Sequence, residues 1–388
     1  MKSLSAVILS AFLLFFSGCG GTKETVKKDA NLEGRRFRVV VYPLENLSGN
    51  PAPLREIKQS FIDQLAQMGV DVVDEETLRR FMAKNRIRYT GGLDRITAKA
   101  LKEDLGVDGV LIVSVELYFV EAPPKIALIS RLVATGDKAT ISWIDGVGLA
   151  GDDSPGILSL GLIEDPKALM NKTIQSLVDS LATSLSDRKE GTNIGKLPKR
   201  YQPRIVFRSP LLEVDRKYTV AIVPAFNRSE RKNAGEILVL HFVRQLKGFE
   251  NFEIIEPGII RQEFLSLRII MEDGISLAQT DAVFASLGAD LILSGKVLDY
   301  QDYRSIWGKP KVDFSSLLIE RKSRSVVWNS TSTNDGAEGV VLFDWGKVNT
   351  AHRLTSRMVR SIGELIVTKE EEKIPDVEPD QPPPFFSY

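Results

Sequence analysis

From residue 37 onward the chain alternates short apolar runs with apolar stripes at helical spacing. Residues 37–42 form a β-branched run that ends at Pro43 and enters a polar turn with Asn46 and Ser48, the pattern of a strand followed by a loop. Leu54, Ile57, Phe61, Leu65 and Met68 recur every three or four positions and predict one amphipathic helix. A short strand at 70–73, a helix starting near Glu75 and a third helix over 97–105 follow. Gly106 ends the third helix, where a left-handed closing residue is favoured. The pattern then predicts a long strand over 110–119 and a hairpin, 126–135 turning through Gly136, Asp137 and Lys138 into 139–143. A helix carrying Leu169, Ile174, Leu177, Val178, Leu181 and Leu185 closes the series.

The same series then runs a second time. Pro43, Asn46 and Ser48 fall on Pro224, Asn227 and Ser229 at one constant offset. Leu105-Gly106-Val107-Asp108 matches Leu287-Gly288-Ala289-Asp290, Tyr118 falls on Tyr300, and Trp143 falls on Trp328. A second hairpin is expected over 312–319 and 324–328, and Val348, Ala351, Leu354, Met358, Val359, Ile362 and Ile366 mark a second closing helix. The expected fold class is α/β, an α+β mixed sheet of three to five strands packed with helices in each of two tandem domains, 37–186 and 218–368. Residues 187–217, with Pro198, Pro203 and Pro210, read as a linker.

Residues 220–224 with Asn227 and Ser229, then 252–256, then 287–297, resemble the CsgG-like envelope proteins. That group includes the curli-secretion lipoprotein CsgG, the penicillin-binding-protein activator LpoB and the similar N-terminal domain of TolB. The first copy carries weaker forms of the same landmarks in Val72-Val73-Asp74-Glu75 and Leu105-Gly106-Val107-Asp108. The resemblance implies a non-catalytic protein that binds other cell-envelope proteins as an assembly or accessory factor. Two alternatives stay open at this point: an oligomeric CsgG-like secretion channel or its accessory ring, and a small-ligand-binding protein with a cleft between the domains. The hairpin charges Glu320, Arg321, Lys322 and Arg324 suit ordinary sheet strands better than a membrane barrel.

Composition narrows the chemistry. Among 388 residues, Lys and Arg together number 51, as do Asp and Glu, so no excess of basic charge points to nucleic acid. With two histidines and one cysteine, metal-binding and nucleophilic patterns are scarce, and no catalytic, cofactor or metal residue is assigned. His241, between Leu240 and Phe242, reads as a core-edge residue, and His352 as a partly exposed one. Gly195-Lys196 is too close to Gly191, and Pro198 too near, for a phosphate loop. Asn46, Ser48, Asn227 and Ser229 read as turn and capping residues, 146–161 with Asp152 and Asp153 as a loop, and Trp143 and Trp328 as packing on the sheets.

The start of the chain supplies an address. Lys2 precedes an uncharged apolar run over 4–16, and Ser17 and Gly18 stand directly before Cys19. This resembles the lipobox of bacterial lipoproteins, which implies a signal peptide over 1–18, a lipid on Cys19 and a polar tether over 19–36. Gly20, in place of an aspartate, favours an outer-membrane anchor facing the periplasm. Residues 369–388, ending Pro382-Pro383-Pro384-Phe385-Phe386, read as a disordered proline-rich tail. The expected partners are thus envelope proteins and, through Cys19, the membrane, with self-association left open and no nucleic acid. Cys19→Ala is expected to shift the protein from the membrane to the soluble fraction and to abolish the lipid mass on its N-terminal peptide, as fractionation and mass spectrometry would show.

Overall fold

The computed structural model describes residues 31–32, 35–153, 161–186, 197–269, 277–304, 308–338 and 347–368. Cys19, the leader and the proline-rich tail lie outside them; of the tether, Asn31–Leu32 pairs antiparallel with Arg35–Arg36. The first half runs β1 (Arg38–Val41), β2 (Glu45–Asn46), α1 (Leu54–Gln67), β3 (Asp71–Val72), α2 (Glu75–Lys84), α3 (Arg95–Leu105), β4 (Gly109–Phe119), β5 (Lys125–Ala134), β6 (Ile141–Ala150) and α4 (Pro166–Leu185). The second runs β7 (Ile205–Arg208), β8 (Tyr218–Ile222), β9 (Phe226–Asn227), α5 (Ala234–Lys247), β10 (Phe252–Ile254), α6 (Pro257–Ser266), α7 (Leu277–Leu287), β11 (Leu291–Gln301), β12 (Lys311–Glu320), β13 (Ser325–Asp335) and α8 (Ala351–Val367). The fold is mixed α/β, with a six-stranded sheet ordered β3-β1-β4-β5-β6 and a seven-stranded one ordered β10-β8-β11-β12-β13-β7. The short strands β2 and β9 pair beside β4 and β11.

The halves agree in fine detail. Gly106 and Gly288 end α3 and α7 at φ of 63° and 68°, a region glycine enters without Cβ strain. Two residues later, Asp108 and Asp290 accept hydrogen bonds from the Arg38 and Thr219 amides, at 2.9 and 3.0 Å, and fix the start of β1 and of β8. Trp143 stands opposite Leu132 and Trp328 opposite Leu318, and a register shift follows each of these leucines. A second shift sets one extra residue into β4 and into β11, Glu116 in the first half and Leu298 in the second.

Three expectations change. Each sheet exceeds five strands, because β2 and β9 are two-residue pairings too short to leave a period in the sequence, and the second sheet also gains the edge strand β7. The linker is partly built: its residues 205–208 pair antiparallel with β13 as an edge strand, a place where flanking prolines are tolerated. Residues 146–150 continue the β6 hairpin strand rather than forming a loop.

The layers stack in one direction. Helices α1 and α4 place Ile57, Phe61, Leu65, Ile174 and Leu177 on the Leu111, Val113 and Leu128 face of the first sheet. The opposite face, with Ile112 and Ile129, shares one apolar core with α5, α8 and the second sheet. Helix α5 therefore lies between two sheets, and consecutive residues Leu240, His241, Phe242 and Val243 are all buried. At roughly 1.5–3 kcal/mol for each fully buried large apolar side chain, this shared layer is a large part of what holds the halves together.

The two sheets treat their far faces differently, and the register shows how. On the first sheet, the α5/α8 side presents Ile112, Glu116, Ala127, Ile129, Arg131, Gly146 and Gly148. The matching positions of the second sheet hold Ser294, Leu298, Asp313, Ser315, Leu317, Thr331 and Thr333. The first face combines apolar side chains and glycine notches with two buried charges, Glu116 and Arg131; the second is largely polar and has side chains where the notches were. A Cβ placed on Gly148 would lie 2.8 Å from the His352 ring. Gly148→Val is expected to destabilise the protein by about 1–3 kcal/mol, read as a lowered urea midpoint, whereas Thr333→Val on the open face should change it by less than about 0.5 kcal/mol.

Candidate functional site

Charged side chains gather where the first sheet meets α5 and α8. Glu116 is aimed there by the β4 bulge, which turns an extra side chain toward the second half. It is 2% exposed and takes hydrogen bonds from three groups of the other half. His352 Nδ1 stands 2.5 Å from Oε2, His241 Nε2 3.4 Å from Oε1, and the Tyr300 hydroxyl also donates to Oε1. The two imidazoles lie with ring centroids 4.7 Å apart.

Burial alone would raise the Glu116 pKa, but the charges and hydrogen bonds of His352 and His241 hold it well below the usual carboxylate range. Burial pulls His241 down to about 4, so it is uncharged at neutral pH, and its Nδ1 has no hydrogen-bond partner among the described residues. Burial pushes Tyr300 well above its usual range and raises Asp302 to about 6. Asp302 accepts the Ala351 amide at 2.7 Å and so anchors the first turn of α8.

A second charged joint lies beside the first. Arg131 on β5 meets Glu256 at 3.0 Å, both fully buried, and its guanidinium also donates to the Gly91 carbonyl. Glu256 is at the same time the N-cap of α6 and accepts the Leu93 amide at 3.2 Å. The matching residue of the first half is Asp74, which caps α2 through the Thr77 amide. One added methylene converts a local cap into a bridge between the halves. Close backbone contact beside it requires glycine, since a Cβ on Gly258 would fall 2.2 Å from the Leu93 nitrogen. At the seam's edge Arg244 pairs with Asp145 at 2.8 Å and Arg353 with Asp153 at 2.9 Å, while Arg304 reaches Glu121 at 2.7 Å.

Asn46 and Asn227 close their own loops, donating to the carbonyls of Asn50 and Arg231 at 2.8 and 2.7 Å. They do not cap the helices that follow: neither Pro53 nor Asn233 at those N-termini makes a side-chain cap. Trp328 is fully buried, with its indole nitrogen on Ser316, and Trp143 donates to Ser180. Asp152 and Asp153 accept from Asn349 instead of lying in a free loop. His241 is fully buried rather than at the core edge, and His352, expected partly exposed, is 2% exposed because the Gly146 and Gly148 notches receive it. Residues 191–196 and the tail aromatics lie outside the described residues.

Sequence reasoning missed Glu116, Arg131, Glu256 and Tyr300. The signal was a charge in the interior of an apolar strand, Glu116 in β4 and Arg131 in β5, where Lys125 takes the first position. Among the described residues, Glu116, His241 and His352 are also the group with ligand-type atoms close enough, within 4.8 Å, to hold a metal ion. As they stand, these atoms are joined by direct hydrogen bonds, and a metal would have to displace those protons.

No protein-family model and no curated protein matches the chain. Among solved structures it is similar to a PelC dodecamer from Paraburkholderia phytofirmans, at 20% identity over 40% of this chain and 96% of that one, TM-score 0.28. It is similar to lipoprotein GNA1162 from Neisseria meningitidis, at 18% identity over 37% and 98%, TM-score 0.27. It is also similar to the LpoB C-terminal domain from Salmonella enterica, at 11% identity over 31% and 83%, TM-score 0.25.

The seam carries a pH signature. Between about 6.5 and about 4 the unfolded chain protonates His241 while the folded chain does not, so the stability that neutral His241 supplies is complete above the upper value and lost as pH falls toward the lower. Asp302, raised to about 6, acts in the opposite sense over much of that window. Only the difference between variants is therefore diagnostic. His241→Gln is expected to make the stability loss from pH 6.5 to 4 smaller than in the unaltered protein, by on the order of 3 kcal/mol at most, in urea titrations across that range.

Proposed function

We propose that the chain is a lipid-anchored accessory protein of the cell envelope, non-catalytic, holding its two CsgG-like domains as one body on the periplasmic face of the outer membrane. The single observation that carries this reading is the seam. Both buried histidines of the second half bond Glu116 of the first, and Arg131 of the first pairs with Glu256 of the second, so the groups best suited to acid–base chemistry serve to join the two halves. The anchor rests on Cys19 and the apolar segment before it. Among the described residues no helix is long and apolar enough to cross a membrane.

The far face of the second sheet favours an accessory body over a ring built by repeating this stack. Where the first sheet offers Gly146, Gly148 and Ile129 to α8 and α5, the second offers Thr331, Thr333 and Ser315. A third layer of the same kind would bury those hydroxyls and meet side chains in place of notches. On this reading the stack ends after two layers, and partners bind elsewhere on the body.

In-cell cross-linking of the full chain, followed by light scattering of the purified protein, tests the reading. The expected outcome is a monomer that cross-links to a defined envelope protein only when Cys19 is intact. A stable ring of copies, or turnover of a substrate that survives loss of every cross-linked partner, would contradict it.

A further inference from the structure

At the edge of the seam, β6 and the first turns of α8 enclose a groove of about 280 Å³ lined by Gly146, Val147, Gly148, Arg244, His352, Arg353, Ser356 and Arg357. The carboxylates beside it are already engaged. Asp145 takes both Arg244 and the Gly146 amide, at 2.8 and 2.7 Å. Asp153 takes Arg353 and the Ala150 amide, each at 2.9 Å.

The donors are not all engaged. β6 is the outer strand of its sheet, and its register against β5 is regular from Gly146 to Ala150. The Gly148 amide therefore points the same way as those of Gly146 and Ala150, away from the ladder. It lies between the two aspartate-bound amides and has no partner among the described residues, although Gly148 is buried. Ser356 Oγ accepts from Arg244 and Gln245 at 2.7 and 2.8 Å, which leaves its own proton to be donated into the groove. Arg357, one turn beyond Arg353 on α8, contacts the Tyr201 hydroxyl and ring, with no carboxylate partner among the described residues. The unmet groups thus include three donors, an amide, a hydroxyl and a guanidinium, beside the Gly148 carbonyl, which faces the same way as its amide.

We propose that this groove seats one oxyanion, the phosphate or carboxylate group of a small ligand. Arg357 supplies the charge, and Ser356 Oγ with the Gly148 amide supplies directed hydrogen bonds. Guanidinium forks suit planar or tetrahedral oxyanions because two N–H groups meet two oxygens at once. The seat forms only when the halves are packed together, because β6 belongs to one and α8 to the other. The ligand would therefore bind the joined body and not either half.

Isothermal titration of the intact chain with inorganic phosphate and, separately, with glutarate tests the proposal. Saturable, salt-sensitive binding of at least one probe is expected. Binding should weaken by about tenfold or more in Arg357→Gln and in Ser356→Ala, the loss of one charge-assisted hydrogen bond. Arg324→Gln, on the distant β12–β13 turn, is expected to leave it unchanged. Preference for phosphate or for glutarate assigns the source of the oxyanion. Absence of saturable binding by either probe, or binding that Arg357→Gln and Ser356→Ala leave intact while both variants unfold at the usual urea concentration, would overturn it.

Discussion

The structure depends on how one carboxylate is buried. Glu116 leaves its own sheet at a bulge and ends among side chains of the other half, almost without contact with water. An ionised carboxylate in such a place costs several kcal/mol unless charge and hydrogen bonds replace its hydration. His352, His241 and Tyr300 make that replacement, and all three belong to the second half. Separating the halves would strand the charge, so the same groups that make the seam expensive to bury also make it hard to open. The Arg131–Glu256 pair repeats this logic with opposite polarity, the base coming from the first half and the acid from the second. Buried ionic groups are weak sources of net stability, but they fix which surfaces may meet. Apolar contact among α5, α8 and the two sheets supplies the adhesion, and the charges supply the register.

This division explains an asymmetry between two halves of like topology. The first sheet is buried on both faces along β4 and β5, and its strands read as nearly continuous apolar runs. The strands β12 and β13 alternate, with Val312, Phe314 and Leu318 inward and Asp313, Ser315 and Thr331 outward. The second sheet closes the stack. The exposed face of α1, with Arg55, Glu56, Gln59 and Asp63, closes the other end. The body is thus a two-layer repeat with polar ends, in the manner of short solenoids that need caps.

Much of this was legible from residue order. The strand–turn landmarks, the glycines that end α3 and α7, the aspartates two residues later and the hairpins all lie in local patterns that repeat at a nearly constant offset. Each is enforced by chemistry within a few residues or one strand pairing, so a linear reading finds it. The seam was not legible in the same way. Glu116 stands 125 residues from His241 and 236 from His352, and no spacing rule connects them. What the sequence did contain was the anomaly: a lone glutamate in an eleven-residue apolar strand and a lone arginine in the next. A charge in a strand buried on both faces implies a partner from another layer, and histidines on apolar helix faces are natural candidates. The strand at 205–208 escaped notice for a different reason, since prolines on either side resemble a linker although edge strands accept them.

The central claim is that the two halves form one cooperative unit held in register by the buried charges. Equilibrium urea unfolding of the intact chain, followed by hydrogen exchange at the amides of β4 and β5 in the first half and of β11 and β12 in the second, tests it most directly. The account predicts a single transition, with both sets of amides losing protection at the same urea concentration and with the same free energy. Two separated transitions, with either sheet keeping full protection after the other has exchanged, would contradict it.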